Sequence, residues 1–155
     1  MRTIRKIILH CSGSDKPEQA TEQAIRLFHT LPTWFKCDWG VYENVPCRGW
    51  DDIGYHNVIE DSGRAMGGRV ATDIGAHCKG HNSDSIGICL TGDKKFNEKQ
   101  FRTLVQVVYA YCRHFGLDPL EDVYPHSHFD TTGKTCPNFD WKEVWKKYGG
   151  IIYVG

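Results

Sequence analysis

The chain alternates short apolar runs with polar segments that contain glycine. Residues 3–11 and Ser85–Leu90 are rich in isoleucine and leucine, which predicts buried strands. Residues 55–59 also resemble a strand, and the turn-forming residues at 61–64 predict a β-hairpin whose second strand begins near Arg64. These runs indicate a sheet at the centre of the molecule.

Three longer segments have the spacing of amphipathic helices. Residues 17–29 begin with Pro and Glu, which are typical of a helix start, and residues 97–114 carry apolar side chains every three or four positions before Gly116. Residues 139–148 predict a last helix. Because strands alternate with helices, we expect an α/β fold with a central mixed β-sheet flanked by helices.

Residues 31–50 have neither the strand nor the helix period. A single domain is expected over residues 1–155, and this segment is predicted to be an irregular insertion within it. Its aromatic side chains could line a groove for sugar or peptide, or could pack as a small separate core. These aromatic residues are Trp34, Phe35, Trp39, Tyr42 and Trp50.

The composition excludes several classes of partner. Nineteen basic residues balance nineteen acidic ones, so the chain lacks the positive field that favours nucleic acid. No apolar run approaches the roughly 20 residues that a membrane-spanning helix needs, and the apolar run before His10 is too short for a signal peptide. We therefore expect a cytoplasmic monomer with no nucleic-acid or membrane partner.

Seven cysteines are many for a chain of 155 residues. An odd number without a signal peptide argues against a complete disulfide framework. Cys11, Cys89 and Cys112 lie in apolar runs and are expected to be small buried side chains. Cys37 and Cys47 could form a disulfide in an oxidising environment, and the sequence leaves this pairing open.

Three residues have the chemistry of a metal site. His10 ends the first predicted strand, and residues 123–128 form a short extended run that ends at His128. Cys136 follows eight positions later, across a loop long enough to bring both side chains to one point. Imidazole and thiolate are zinc ligands, and catalytic zinc sites use three protein ligands and leave one position open. The alternative for each histidine is a hydrogen-bonded structural residue.

Four sequence blocks support the hypothesis of a metal site. They are Ile-Ile-Leu-His-Cys-Ser at 7–12, Asp-Ile-Gly-Tyr-His-Asn-Val-Ile at 52–59, the segment 77–90 from His-Cys-Lys-Gly-His-Asn to Ile-Cys-Leu, and His-Phe-Asp-Thr-Thr-Gly-Lys-Thr-Cys-Pro at 128–137. In this order and spacing the chain resembles the zinc N-acetylmuramoyl-L-alanine amidases, which include phage lysozyme-type amidases and peptidoglycan-recognition proteins.

The resemblance implies a function and a set of site residues. It implies zinc bound by His10, His128 and Cys136, with Tyr55 and Lys134 assisting hydrolysis of the amide bond between N-acetylmuramic acid and L-alanine in peptidoglycan. A lysine ammonium or tyrosine hydroxyl can stabilise the oxyanion that forms during this reaction. Without the resemblance, Tyr55 would be interpreted as a packed strand residue and Lys134 as a solvated one.

Several alternatives accompany this interpretation. Some relatives bind peptidoglycan without cutting it, although the retained cysteine ligand favours catalysis. A cytoplasmic wall-recycling amidase is an alternative to the favoured phage endolysin. Inhibition of a phage RNA polymerase, known for phage relatives, is disfavoured because only nine residues precede His10.

Other polar residues near the blocks have less certain roles. His77 is expected to orient substrate, and Asp130 to hydrogen-bond a metal-binding histidine. His126 is expected to be structural or exposed. In a closed, purely structural zinc site, His126 or Cys11 would be the fourth ligand.

Overall fold

A computed structural model describes residues 2–150 as a mixed sheet flanked by helices. In chain order the strands are β1 (Lys6–Cys11), β2 (Lys36–Trp39), β3 (Tyr42–Pro46), β4 (Asn57–Ile59), β5 (Ala65–Gly67), β6 (Ser85–Leu90) and β7 (Val123–Pro125). The helices are α1 (Glu22–Thr30), α2 (Glu98–Phe115) and α3 (Trp141–Tyr148), with short 3₁₀ turns at Pro17–Gln19 and His126–His128. The predicted α/β class is confirmed.

Strand β1 lies inside a five-stranded sheet of order β5-β4-β6-β1-β7. It pairs in parallel with β6 on one side and with β7 on the other, whereas β4 and β5 form the predicted antiparallel hairpin. In this register His10 lies opposite Cys89 and Leu9 lies opposite Pro125. The carboxyl ends of β1 and β7 therefore meet at the same edge of the sheet.

The two faces of the sheet bury different side chains. Alternate residues of β1 and β6, including Leu9 and Ile88, pack against α2 and α3 in the larger core. The opposite face packs against α1 and β2 in a second core that includes Ile25, Val58 and Cys89. Because His10 follows Leu9 in an alternating strand, its side chain lies on the α1 side of the sheet.

The helix boundaries follow from local capping. Helix α2 begins with a capping box, in which the Asn97 side chain accepts the Gln100 N–H and the Gln100 side chain accepts the Asn97 N–H. It ends at Gly116, which has a positive φ of 69°. Helix α1 is shorter than predicted, because Thr21 is extended and its hydroxyl accepts the Ala24 N–H, so the helix starts after it.

Within residues 31–50, which were predicted to be irregular, β2 and β3 form a hairpin. The register shifts between Cys37 and Trp39, which removes the regular alternation that would have indicated a strand. Trp39 is buried, stacks on Phe28 at 5.1 Å and donates its indole N–H to the Ser12 carbonyl. Trp34 is 77% exposed, so the segment contributes both a packed and a solvent-facing aromatic residue.

The sulfur atoms of Cys37 and Cys47 lie 3.9 Å apart at this hairpin, and both residues are free thiols.

Among the helices of residues 2–150, none has the length and apolar character needed to cross a membrane.

Candidate metal centre and active site

Three side chains converge at the carboxyl edge of the sheet. Ligand atoms of His10, His126 and Cys136 all lie within 4.8 Å of one another. His10 is the penultimate residue of β1 and is 2% exposed, His126 directly follows β7, and Cys136 belongs to the loop before α3. His126 and Cys136 are half-buried, so the cluster is partly accessible to solvent on the side of these two residues.

The expected ligand His128 does not belong to this cluster. Its side chain is exposed and its ring packs against Tyr124 and Phe129, at centroid distances of 5.0 and 4.8 Å. Residues 126–128 form a 3₁₀ turn, in which successive side chains point about 120° apart, so only one of the two histidines can face His10. His126, which was expected to be structural or exposed, occupies that position.

The signal for His126 was present in the sequence. The strand ends at Pro125, and the first residue after a strand that is parallel to β1 lies at the same edge as His10. The spacing of eight between His128 and Cys136 pointed to the histidine that lies outside this cluster, because spacing carries no information about which way a turn directs its side chains.

Backbone contacts fix the thiol of Cys136 beside β1. The Cys11 N–H donates to the Cys136 Sγ at 3.1 Å, and the Cys11 Sγ lies 3.6 Å from the same atom. The N–H donor holds the sulfur at the end of β1, and cysteine sulfur is a ligand that zinc accepts. Cys11 is buried as expected, and it also helps to position Cys136.

The local electrostatics keep both imidazoles of the cluster neutral. Burial lowers the pKa of His10 well below 6.5, and the charges of His77, His126, His29 and Lys134 lower it further. Burial and then the Lys134 charge also lower the pKa of His126. A neutral imidazole keeps a free lone pair, so these shifts favour metal binding at neutral pH.

Tyr55 and Lys134 lie next to this cluster. The Tyr55 ring is 5.1 Å from the His10 ring, and burial raises the pKa of its hydroxyl well above 10, with nearby thiols adding to the shift. The hydroxyl is therefore protonated at neutral pH and can donate a hydrogen bond. Lys134 is exposed, and its charge lies near enough to lower the pKa of His10 and of His126.

The remaining polar residues are positioned differently from the expectations. Asp130 accepts the N–H groups of Thr132 and Lys134 in its own loop, and none of its observed hydrogen bonds reaches a histidine. His77 is buried, and its Nδ1 lies 2.9 Å from the His10 Nε2. His77 therefore contacts His10 within the cluster and does not lie where substrate would enter.

A cluster of two histidines and a cysteine, open on one side, is typical of the metal centre of a hydrolase rather than of a closed structural site. Among residues 2–150, the cluster contains no fourth His, Cys, Asp or Glu ligand. Residues 1–139 match the family model described as N-acetylmuramoyl-L-alanine amidase, and the chain belongs to that family.

Known proteins similar to this chain support the same assignment. An endolysin of Enterobacteria phage K11 is 36% identical over 153 residues, covering 95% of this chain and 88% of the relative. The fold resembles the N-acetylmuramoyl-L-alanine amidase LysC from Clostridium intestinale, with a TM-score of 0.73 and 22% identity over 96% of this chain and 87% of LysC. It also resembles a chain in the structure of tracheal cytotoxin bound to the ectodomain complex of the peptidoglycan-recognition proteins LCa and LCx, with a TM-score of 0.68 and 25% identity over 94% of this chain and 83% of that chain.

The buried histidines predict a loss of stability in acid. Burial lowers the pKa of His29 to about 4 and that of His77 to about 3, from an ordinary value of 6.5. Between pH 6.5 and 4 the unfolded chain binds protons that the folded chain excludes. The free energy of unfolding of the metal-free protein should therefore fall by about 1.4 kcal/mol per pH unit for each such histidine. Urea denaturation between pH 7 and 4.5 measures this slope.

A matched variant isolates one contribution to that slope. The His29 Nδ1 accepts the Gly54 N–H, and His29→Asn keeps an acceptor at this place without a titrating group. The variant should lose stability with pH less steeply than the parent protein. An unchanged slope would show that His29 is protonated in the folded state.

Proposed function

We propose that the protein is a zinc-dependent amidase that hydrolyses the amide bond between N-acetylmuramic acid and L-alanine in peptidoglycan, acting as a phage endolysin. The observation that carries this proposal is the convergence of His10, His126 and Cys136 within 4.8 Å, with one open side. Family membership supports the bond that is cut, and the similarity to a phage endolysin supports the biological role.

The donor set of the cluster fits zinc. Two neutral imidazoles and one thiolate are ligands that zinc prefers, and three protein ligands leave a coordination position for a reacting group. A bound zinc ion would supply Lewis acidity and an activated water for amide hydrolysis. The partial exposure of His126 and Cys136 gives a wall peptide access to the centre.

Tyr55 and Lys134 supply the charge stabilisation that the reaction requires. Negative charge develops on the carbonyl oxygen as the carbon becomes tetrahedral, and a donor aimed at that oxygen stabilises it by several kcal/mol. The Tyr55 hydroxyl stays protonated, because burial raises its pKa, and so remains a donor. The Lys134 charge lies near enough to lower the pKa of both histidines, and an ammonium at this place can also protonate the departing amine.

The proposal predicts metal-dependent release of peptides from cell walls. Purified protein should liberate free L-alanine amino groups from walls without producing new reducing sugars. A chelator should abolish the release, and added zinc should restore it. Walls that are bound but uncut would instead identify a non-catalytic binding module. Cleavage of soluble wall fragments in preference to intact walls would favour the recycling amidase.

The geometry distinguishes the two neighbouring histidines. His126→Ala should lose both zinc and activity, because it removes a ligand from the cluster. His128→Ala is the matched control, and it should keep both, because its exposed side chain lies outside the cluster and packs on Tyr124 and Phe129. Zinc content by mass spectrometry and wall cleavage measure the two effects. Loss of zinc in His128→Ala alone would restore the assignment that the sequence spacing suggested.

The hydroxyl of Tyr55 should matter for catalysis and not for metal binding. Tyr55→Phe removes one donor near the reacting carbonyl, so we expect kcat to fall by about 10²-fold or more with zinc content unchanged. Tyr109→Phe, at a half-buried tyrosine of α2 on the other side of the sheet, is the control and should leave kcat unchanged. An unaltered kcat in Tyr55→Phe would mean that the ring acts by packing alone.

A further inference from the structure

The imidazole of His77 occupies a space that the sheet leaves for it. Gly87 lies in the middle of β6, and a Cβ there would lie 2.5 Å from the His77 Cγ. The ring therefore rests directly on the backbone of the sheet, on the same face as His10. The Asn82 side chain fixes the loop that carries the ring, because its Oδ1 accepts the N–H groups of His77 and Cys78 at 3.0 and 2.9 Å.

Both nitrogens of His77 are used by protein groups. Its Nδ1 lies 2.9 Å from the His10 Nε2, and its Nε2 lies 3.3 Å from the Ser85 Oγ. The Ser85 hydroxyl in turn donates to the His81 carbonyl at 2.7 Å. His77 thus has no nitrogen left for substrate, and the expectation that it orients substrate does not fit its surroundings.

The direction of this chain of hydrogen bonds follows from proton counting. A serine hydroxyl has a single hydrogen, and that of Ser85 goes to the carbonyl of His81, so the Ser85 oxygen must accept from the Nε2–H of His77. A neutral imidazole has one N–H and one lone pair, so the His77 Nδ1 is an acceptor. The His10 Nε2 must then carry the hydrogen that His77 accepts.

We propose that His77 is a positioning residue that holds His10 in the tautomer with a bare Nδ1, making Nδ1 the atom that binds the metal. This inference rests on the proposed metal centre. The carbonyl of His81 can only accept, so it sets the direction of every hydrogen bond from Ser85 through His77 to His10. His10 then presents its lone pair to His126 and Cys136. A partner on the second nitrogen of a metal-binding histidine fixes both the ring orientation and the tautomer.

The test combines a tautomer measurement with a metal titration. In the metal-free protein, ¹⁵N NMR of the imidazoles should show the His10 Nε2 protonated and the Nδ1 bare. Ser85→Ala removes the acceptor that orients His77, and it should give a mixture of His10 tautomers. Zinc affinity, measured by competition with a chromophoric chelator, should fall by roughly 10- to 100-fold in His77→Leu.

Two further variants separate positioning from a general loss of structure. His77→Asn can place an amide oxygen near the position of Nδ1, so it should recover most of the zinc affinity lost in His77→Leu. Gln100→Ala removes a buried polar side chain on α2, outside the cluster, and should lower the melting temperature while leaving zinc affinity unchanged.

The outcomes distinguish this inference from the proposed function. A protonated His10 Nδ1 in the metal-free protein, or unchanged zinc affinity in His77→Leu, would overturn the role of His77 even if zinc binds and walls are cut. Failure of the unmodified protein to bind zinc would overturn the proposed function, and the NMR measurement would still decide the tautomer.

Discussion

The parallel pairing of β1 with both of its neighbours is the constraint on which the site depends. Only a strand flanked by parallel partners shares its carboxyl edge with them, and this edge is where His10 and His126 meet. Cys136 reaches the same point because its sulfur accepts the backbone N–H of Cys11, the last residue of β1. The cluster is thus attached to rigid backbone at two of its three members, which limits the reorganisation needed to bind an ion.

The α1 side of the sheet buries several histidines, and it is stable because their imidazoles are uncharged and hydrogen-bonded. Charged imidazoles would be costly to bury, and the lowered pKa values of His10, His29 and His77 show that the folded chain excludes their extra protons. Each of these rings packs against at least one neighbouring aromatic ring. Within residues 2–150, every buried side-chain nitrogen or oxygen has a hydrogen-bond partner. The neutrality that makes these rings tolerable in a core also leaves His10 a lone pair for a ligand.

The sequence predicted the helices and strands whose apolar residues form a regular pattern or a continuous run. A period of 3.6 residues indicated α2, and runs rich in isoleucine and leucine indicated β1 and β6, because each of these elements is buried on one or both faces. The hairpin of β2 and β3 was missed, since its strands are mostly exposed and a register shift interrupts their alternation. The start of α1 was misplaced because the hydrogen bond of the Thr21 hydroxyl competes with one more turn of helix.

For the site, the residue types that form the cluster were easier to predict than the direction in which each side chain points. His10 and Cys136 followed from residue type and from the sequence blocks that they belong to. The choice between His126 and His128 depends on the rotation of a 3₁₀ turn, which residue spacing does not determine. The hydrogen bond between His10 and His77 joins residues 67 positions apart. It also depends on Gly87 of β6, which leaves room for the His77 ring.

The contact between His77 and Gly87 makes positions 77 and 87 a coupled pair. A methyl group at 87 would need the volume that the imidazole fills, so a larger residue at 87 requires a smaller one at 77. The effects of substitutions at the two positions should therefore be strongly non-additive. Redesign of this domain, for example to raise its thermal tolerance, has to treat the two positions as a single unit.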